Sequence, residues 1–278
     1  MISEAYCIVD KKSNFLGGKM KSVILTLCLC MLIITAGLNA AAAGEMKVGE
    51  PGEGGFREYL FMDKFSEKEA PEMAELLALA IEKGRSIVFQ QLPKINNPEL
   101  GDKEFTADYF EGKLVPQLKQ RIDALTPAQK ASFDKFLWSA KLTIALNQDR
   151  INMKGAGFKH FLPAMWARET AAIFQIKTGI IIKQPANLYR NPCNKPDDVE
   201  KKVLTRFTMQ DYDKKEYGEM SMIGKQKVYR HFRPVFMSTG CLGCHGEKQG
   251  ELDVLGFKKD GLKSGDVRAA ISVTVPIK

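Results

Sequence analysis

The amino-acid sequence predicts an α+β fold, with long helices in its first half and an antiparallel sheet in its second. Three observations carry this prediction. Apolar residues recur at helical spacing through residues 67–150, and they alternate with polar residues over 267–277 as in a strand. A Cys-x-x-Cys-His motif occupies residues 241–245, close to the last strand. With 278 residues, 45% of them hydrophobic, the chain has ample material for a core.

The charge distribution argues against nucleic-acid binding. The formal net charge is +8, but lysines and arginines are scattered among nearly as many acidic residues, and there is no arginine-rich run. Nucleic-acid-binding domains concentrate basic charge on one face or one segment. A mildly basic surface of this kind favours an acidic partner protein or a membrane surface instead.

The N-terminal segment predicts export. Met20 and Lys21 precede an apolar run over 23–36, and small residues follow at 40–43, as in a secretory signal peptide with its cleavage site. We therefore predict a signal peptide over residues 1–43, with Met20 as an alternative start, and a periplasmic mature protein. A retained membrane anchor is the alternative, although the run is short for a membrane span. Residues 44–66 have no clear period and predict a linker.

Residues 67–151 predict three helices with short connections. Ser66 with Glu69 makes a capping box for the first helix, and Pro93 together with the Asn-rich segment 96–98 should end it. The second helix should start at Thr106 and kink at its internal proline. The third should start at a second capping sequence, Thr126-Pro127-x-Gln129.

Residues 152–278 predict a mixed region, and we expect 67–278 to form one structural unit. Gly179 should end a helix as its C-cap, and the last strand should be half-buried, since apolar residues alternate along it. The predicted elements are helices over 162–176 and 197–207 and strands over 180–182, 219–223, 227–236 and 267–277.

The motif Cys241-x-x-Cys244-His245 predicts covalent attachment of one haem c. The two thiols add to the porphyrin vinyl groups, and the adjacent histidine is placed to bind the iron as its proximal ligand. Two other kinds of site, a thioredoxin-like redox pair and a zinc site, also use a Cys-x-x-Cys pattern. A thioredoxin-like pair should open a helix near the start of its domain, and a zinc site needs further ligands, whereas only His160, His231 and Cys193 remain in the mature chain. No Met or His follows His245, so the common electron-carrier layout does not apply.

Several stretches resemble the bacterial c-type haem, PAS-like sensor domains found alone or ahead of histidine kinases and chemotaxis receptors. They are Phe161-Leu162-Pro163-Ala164, Tyr189-Arg190-Asn191-Pro192 with its continuation to Glu200, Gly240 to Gly246, the tail Gly261 to Val273, and the segment from Gly84-Arg85 to Thr106. The resemblance implies a PAS-like antiparallel sheet packed with long N-terminal helices, one covalent haem c over 152–278, and a homodimer through the helices.

The resemblance leaves the distal iron ligand open, since family members use water, methionine or cysteine there. His160, just before the Leu-Pro-Ala segment, is one candidate, and Met165, one helical turn later, is another. Cys193, where the family usually has a small residue, is the third. His231 lies in a predicted strand and is expected to face solvent or the haem edge.

Arg190 is the predicted partner of a haem propionate, because a guanidinium meets a carboxylate in a fork geometry. The alternative is that it caps backbone carbonyls of its own Asn-Pro turn. For the function, we expect a redox or small-gas sensor that binds a diatomic ligand and signals through a separate partner protein. A periplasmic electron-transfer cytochrome is the alternative, and no enzyme activity is expected since one haem lacks an accompanying acid/base group.

Overall fold

The computed structural model describes residues 62–209, 211–213 and 215–278. The predicted signal peptide and most of the predicted linker lie outside these residues. The described part has the α+β architecture that the sequence predicts, with helices packed against a four-stranded antiparallel sheet. Residues 62–66 already pack against this body: Phe65 is buried, pairs with Ile277, and accepts a hydrogen bond from the backbone N–H of Lys278 at 2.9 Å.

Helix α1 spans Glu69–Ile95 and is the longest element described. The predicted capping pair is confirmed, since the Ser66 hydroxyl accepts from the Glu69 N–H at 3.2 Å and the Glu69 carboxylate accepts from the Ser66 N–H at 3.1 Å. The predicted end at the Asn-rich segment is confirmed, since Asn96 is the C-cap, but the part of the prediction that gave Pro93 as a stop is wrong. Pro93 lies inside the last turn, where one missing N–H removes only one hydrogen bond, and the helix ends before Asn96.

Three further helices follow. Helix α2 (Ala107–Asp123) starts at Thr106 as predicted, helix α3 (Pro127–Leu146) has the predicted capping box, and a short helix α4 (Gln148–Asn152) was not predicted. Helix α2 runs through its internal proline at position 116. The predicted kink at this proline stays a prediction.

Helix α5 (Pro163–Thr178) ends where the sequence predicts. Gly179 has a φ of 76° and acts as the C-cap, a backbone conformation that glycine adopts without strain. Strand β1 (Ile181–Lys183) follows directly. After a 3₁₀ turn at Pro192–Asn194, Asp197 caps helix α6 (Asp198–Phe207) through a second carboxylate–backbone capping box.

The sheet has the strand order β1-β4-β3-β2, with every neighbouring pair antiparallel. Strands β2 (Tyr217–Ile223) and β3 (Gln226–Phe236) form the predicted hairpin around Gly224, and β4 (Val267–Pro276) lies at the centre of the sheet. Thus all four strands are present close to their predicted positions, with the short strand β1 at one edge.

The prediction that the last strand is half-buried is wrong, because both faces of β4 are covered. Ile271 and Val273 point into the main core with α1, while Ala270 packs against Val203 and Phe207 of α6. In the sequence, small residues such as Ala270 alternate with larger apolar residues, so their side of the strand was interpreted as exposed. Their burial depends on a helix that arrives from far away in the chain.

The main core lies between α1 and the other helices and extends to β4. In this core, Gly84 of α1 lies against the ring of Trp166 of α5: a Cβ atom at position 84 would lie 2.0 Å from the indole ring. In the described part of the chain no helix combines the length and apolar character needed to span a membrane.

Candidate functional site

The Cys-x-x-Cys-His motif lies shortly after strand β3, the second strand of the β2–β3 hairpin. A 3₁₀ turn (Thr239–Cys241) follows β3, and Leu242–His245 form the short helix α7. The thiols of Cys241 and Cys244 are free and partly exposed. The Cys241 thiol lies 3.2 Å from the Ser238 hydroxyl. The motif is therefore held in a compact turn with both thiols unbonded to each other.

Helix α1 packs onto this turn from one side. A Cβ atom at Gly240 would lie 2.3 Å from Cζ of Phe89, so glycine allows the aromatic ring to approach the turn closely. Phe89 is nevertheless 39% exposed. Arg85, one helical turn before Phe89, lies near the motif as well, since the Cys241 thiol acts on its charge.

His245 is oriented by Asp260, which follows it after a long loop. The Asp260 carboxylate contacts Nδ1 of His245 and also forms an ion pair with Nε of Arg268 at 2.9 Å. Nε of Arg268 lies 3.2 Å from Nδ1 of His245 as well, but a protonated Nδ1 cannot accept from it. We assign the proton to Nδ1, because Nδ1 then donates to Asp260 while Arg268 stays ion-paired with the same carboxylate. The lone pair of the neutral ring is left on Nε2.

Arg190 connects the loop after the motif to α7. It forms an ion pair with Asp253 at 2.5 Å and lies 3.7 Å from Asp260, and one terminal nitrogen donates to the Cys244 carbonyl at 2.7 Å. The same nitrogen donates to the Lys258 carbonyl at 3.2 Å. Arg190 thus caps carbonyls of the motif and its loop, and none of these contacts is with its own turn. Its predicted contact with a propionate stays a prediction.

Asp253 organises the loop between α7 and β4. One carboxylate oxygen accepts from the N–H groups of Leu255 and Phe257, at 2.8 and 3.0 Å, and the other accepts from Arg190. Its side chain is fully buried, and these donors hold the pKa of Asp253 below its ordinary value although burial opposes this. Phe257 itself lies against the Arg190 guanidinium at 5.4 Å.

Burial changes the ionisation of the motif itself. Burial lowers the pKa of His245, and the positive charges of Arg190 and Arg268 act in the same direction, whereas the hydrogen bond to Asp260 opposes them. Burial raises the pKa of the Cys244 thiol, and the charge of Asp253 adds to that effect. A neutral imidazole and a protonated thiol are therefore favoured in the folded chain.

The candidate distal ligands lie on other elements. His160 is exposed with a φ of 56°, and its ring packs on Phe158 with centroids 4.6 Å apart. Met165, in the first turn of α5, is partly buried against the core, and its sulfur lies 3.5 Å from Arg150. Cys193 lies in the 3₁₀ turn after Arg190, and its N–H donates to the Asn191 side chain at 2.9 Å. The assignment of any of them as an iron ligand stays a prediction.

His231 does not face solvent, which corrects one of the two alternatives expected for it. It is 3% exposed, and its Nε2 contacts the Glu216 carboxylate at 2.5 Å while its buried Nδ1 has no hydrogen-bond partner. Glu216 also pairs with Arg233, and Arg233 pairs with Glu82 of α1. His231 therefore belongs to a chain of charged contacts between the sheet and α1.

Four residues of the site were missed as functional candidates, although the sequence held a signal for two of them. Arg85 and Arg268 fall in stretches that carry the resemblance stated above. Asp253 and Asp260 lie in a glycine-rich loop without any periodic pattern, and their partners are far away in the sequence. Only the folded chain shows that both carboxylates turn toward α7.

Comparisons with known proteins give a family for the chain. The family model described as Tll0287-like matches residues 63–276, which includes the motif, the loop and all four strands. A crystal structure of the cyanobacterial heme-protein Tll0287 aligns with 55% of this chain and 97% of that chain, at 19% identity and a TM-score of 0.36. No curated protein matches the sequence.

Proposed function

This chain belongs to the Tll0287-like family, and we propose that it is an exported monohaem c-type cytochrome with a PAS-like fold. The observation that carries the proposal is the contact between Nδ1 of His245 and Asp260. Histidine ligands of metals usually donate their other ring N–H to a carboxylate, a carbonyl or water. Asp260 supplies that acceptor, so Nε2 is available for the iron.

The residues around the motif fit a covalent haem. Cys241 and Cys244 offer two free thiols next to the ligand histidine, which is the set that thioether attachment requires. Large apolar side chains near the motif and its loop are exposed, and a porphyrin would shield such a surface. Those exposed by more than a third are Phe89, Leu188, Phe236, Leu252, Val254 and Phe257. When bound, the haem supplies one-electron redox chemistry and a site for small ligands.

The groups around His245 set the properties of such a site. A carboxylate that accepts from Nδ1 makes the imidazole a stronger donor, which favours oxidised iron. Arg268 and Arg190 share the charge of Asp260 and therefore moderate this effect. Asp260 and its two arginines are thus tuning residues for the iron, and they act through His245.

A redox or small-gas sensor is the role we propose for this haem. Helix α1 supports this role because it contacts the motif through Phe89 and also packs against β3, β4, α2 and α5. A change at the haem would reach most of the molecule through this one helix. Signalling would then pass to a separate partner protein in the periplasm, with a homodimer through the helices as the proposed assembly. No catalytic turnover is proposed.

Electron transfer without a signalling role is the second candidate. His245 is 26% exposed in its side chain, and both thiols are partly exposed, so a haem attached here has an edge near the surface. A net charge of +8 would favour encounter with an acidic redox partner.

Optical titration of the reduced haem protein with CO and NO separates the two roles. A sensor is expected to bind CO promptly at an open or weakly ligated sixth position. An indifferent, six-coordinate spectrum would contradict gas sensing and favour electron transfer.

Three variants test the distal ligand in the same titration. The variant that removes the distal ligand should change the spectrum, and the other two should leave it unchanged. The three variants are His160→Ala, Met165→Ala and Cys193→Ala. If all three leave it unchanged, water or an unassigned residue occupies the sixth position. His231→Ala is the matched control, since His231 is paired with Glu216.

A further inference from the structure

One face of helix α1 meets the motif, and it carries a cation that the site described above does not use. Glu82, Arg85 and Phe89 are spaced by three and four residues, so they share this face. Phe89 packs onto Gly240, directly before Cys241. Arg85 is therefore one turn of helix away from a ring that touches the motif.

Arg85 has no anionic partner of its own. It is partly buried, and within residues 62–209, 211–213 and 215–278 it makes no hydrogen bond or ion pair. Burial lowers its pKa, while the charges of Cys241 and Glu82 act to raise it. A guanidinium carries five N–H donors, and those of Arg85 have no acceptor in the described part of the protein and are open to an incoming anion.

The charged groups nearest to Arg85 cannot serve as that partner. Glu82 is committed to Arg233, which is paired with Glu216 in turn. Cys241 becomes a neutral thioether when haem is attached, so it offers Arg85 no anion. Attachment of the haem would bring two propionate carboxylates to the same motif.

The other arginines at the site are already paired. Arg190 has its terminal nitrogens on Asp253 and on the Cys244 and Lys258 carbonyls. Arg268 has its donors on Asp260 and on the Leu188 carbonyl, the latter at 2.6 Å. Arg190 keeps only its buried Nε without a partner, whereas all the donors of Arg85 are unpaired within the described residues.

We propose that Arg85 binds a carboxylate at the motif and that this carboxylate is a haem propionate. The inference rests on the proposed function, since it requires the haem. A guanidinium next to a propionate holds the carboxylate ionised and disfavours the positive charge of oxidised iron. Arg85 therefore raises the midpoint potential and keeps it independent of pH near neutrality.

The test uses the full haem protein with Arg85→Gln, and Lys83→Gln as matched control. Lys83 lies on α1 two residues away, on a different face, and its substitution removes the same charge. In Arg85→Gln the midpoint potential should shift negative and become pH-dependent near neutrality, as the propionate pKa rises. The propionate bending band in the resonance Raman spectrum should shift too. Arg85→Lys should keep the potential close to that of the wild type but shift the same band.

Three outcomes overturn the proposal. If Arg85→Gln matches Lys83→Gln in both potential and Raman band, Arg85 binds no carboxylate at the haem. If the potential of the wild type instead responds saturably to inorganic phosphate at constant ionic strength, with the Raman band unchanged in the variant, Arg85 binds a free anion. A wild-type protein without a pyridine haemochrome spectrum refutes the haem itself, and with it this role, before any variant is compared.

Discussion

At the scale of single residues, His245 and Asp260 form the centre of the account. The carboxylate fixes which ring nitrogen carries the proton, and Arg268 and Arg190 lie beside that carboxylate, at 2.9 and 3.7 Å. The ring of His245, the proposed iron ligand, is therefore already oriented by the folded chain. A motif of five residues could predict the ligand, but its orientation depends on a carboxylate fifteen positions further along the chain.

Asp260→Asn should raise the midpoint potential of the haem by at least about 60 mV, a tenfold change in a one-electron equilibrium. The amide accepts the hydrogen bond more weakly and carries no charge, so oxidised iron loses stabilisation. Potentiometric titration measures the shift. Glu247→Gln is the control, because it removes an exposed carboxylate two residues from the ligand that makes no described contact with it. An equal shift in both variants would contradict the role of the hydrogen bond.

At the scale of elements, the loop between α7 and β4 is held by one buried ion pair. Asp253 accepts three donors with its side chain fully buried, and Arg190 spans 63 positions of the sequence to reach it. Neither residue showed this pairing in the sequence. Turn residues predicted that a loop exists, but no periodic pattern in the sequence indicates that the loop contacts Arg190, 63 positions away.

Arg190→Gln should destabilise the protein by about 3 kcal/mol, because it leaves the Asp253 carboxylate buried without its cation. Chemical denaturation measures the loss. The double variant Arg190→Gln/Asp253→Asn should recover part of it, since the unpaired charge is then absent. A double variant less stable than the sum of the two single ones would contradict this explanation.

Helix α1 depends on the absence of a side chain at Gly84. Gly84→Ala should destabilise the fold by about 1–3 kcal/mol, because the added methyl group overlaps the Trp166 ring and forces the helices apart. Gly112→Ala on α2 is the matched control: no atom lies within 4 Å of its Cβ position. That control should stabilise by about 0.5–1 kcal/mol, as expected when alanine replaces glycine in an exposed helix. Thermal unfolding of both variants measures this difference in stability. Equal changes in the two variants would contradict the overlap with Trp166.

Helix starts were predictable, whereas coverage of the sheet was not. Capping residues lie within three positions of the backbone groups they satisfy, so Ser66, Thr106, Thr126 and Asp197 marked the starts of their helices in the sequence. Burial of the second face of β4 depends on α6, some sixty residues earlier, and the alternating pattern concealed it. Pro93 failed as a stop signal for a local reason, since a proline in the last turn costs little.

At the scale of the whole molecule, two ion-paired carboxylates, the buried Asp253 and the more exposed Glu216, link stability to pH. The pKa values of Asp253 and Glu216 are held below their ordinary values; in both cases burial opposes the lowering, which comes from hydrogen bonds and arginine charges. A carboxyl group whose pKa is lower in the folded state stabilises the fold above its unfolded pKa. That contribution is lost as the pH falls through about 4 and below.

The stability difference between the wild type and Asp253→Asn should therefore shrink as the pH falls from 6 to 3. Protonation of Asp253 in the wild type removes the charge that the variant already lacks. Denaturant titrations at several pH values give the difference directly. Parallel stability curves for the two proteins across this range would show that Asp253 is not the acid-sensitive group.

Covalent attachment of one haem at Cys241 and Cys244 is the central proposal, and the intact mass of the protein tests it directly. The full chain, with its predicted signal peptide, should be expressed in a cell that matures c-type cytochromes. We predict the added mass of one haem per chain, a c-type pyridine haemochrome spectrum, and loss of both in Cys241→Ser/Cys244→Ser. A wild-type chain of unmodified mass, with both thiols open to alkylation, would contradict the central claim.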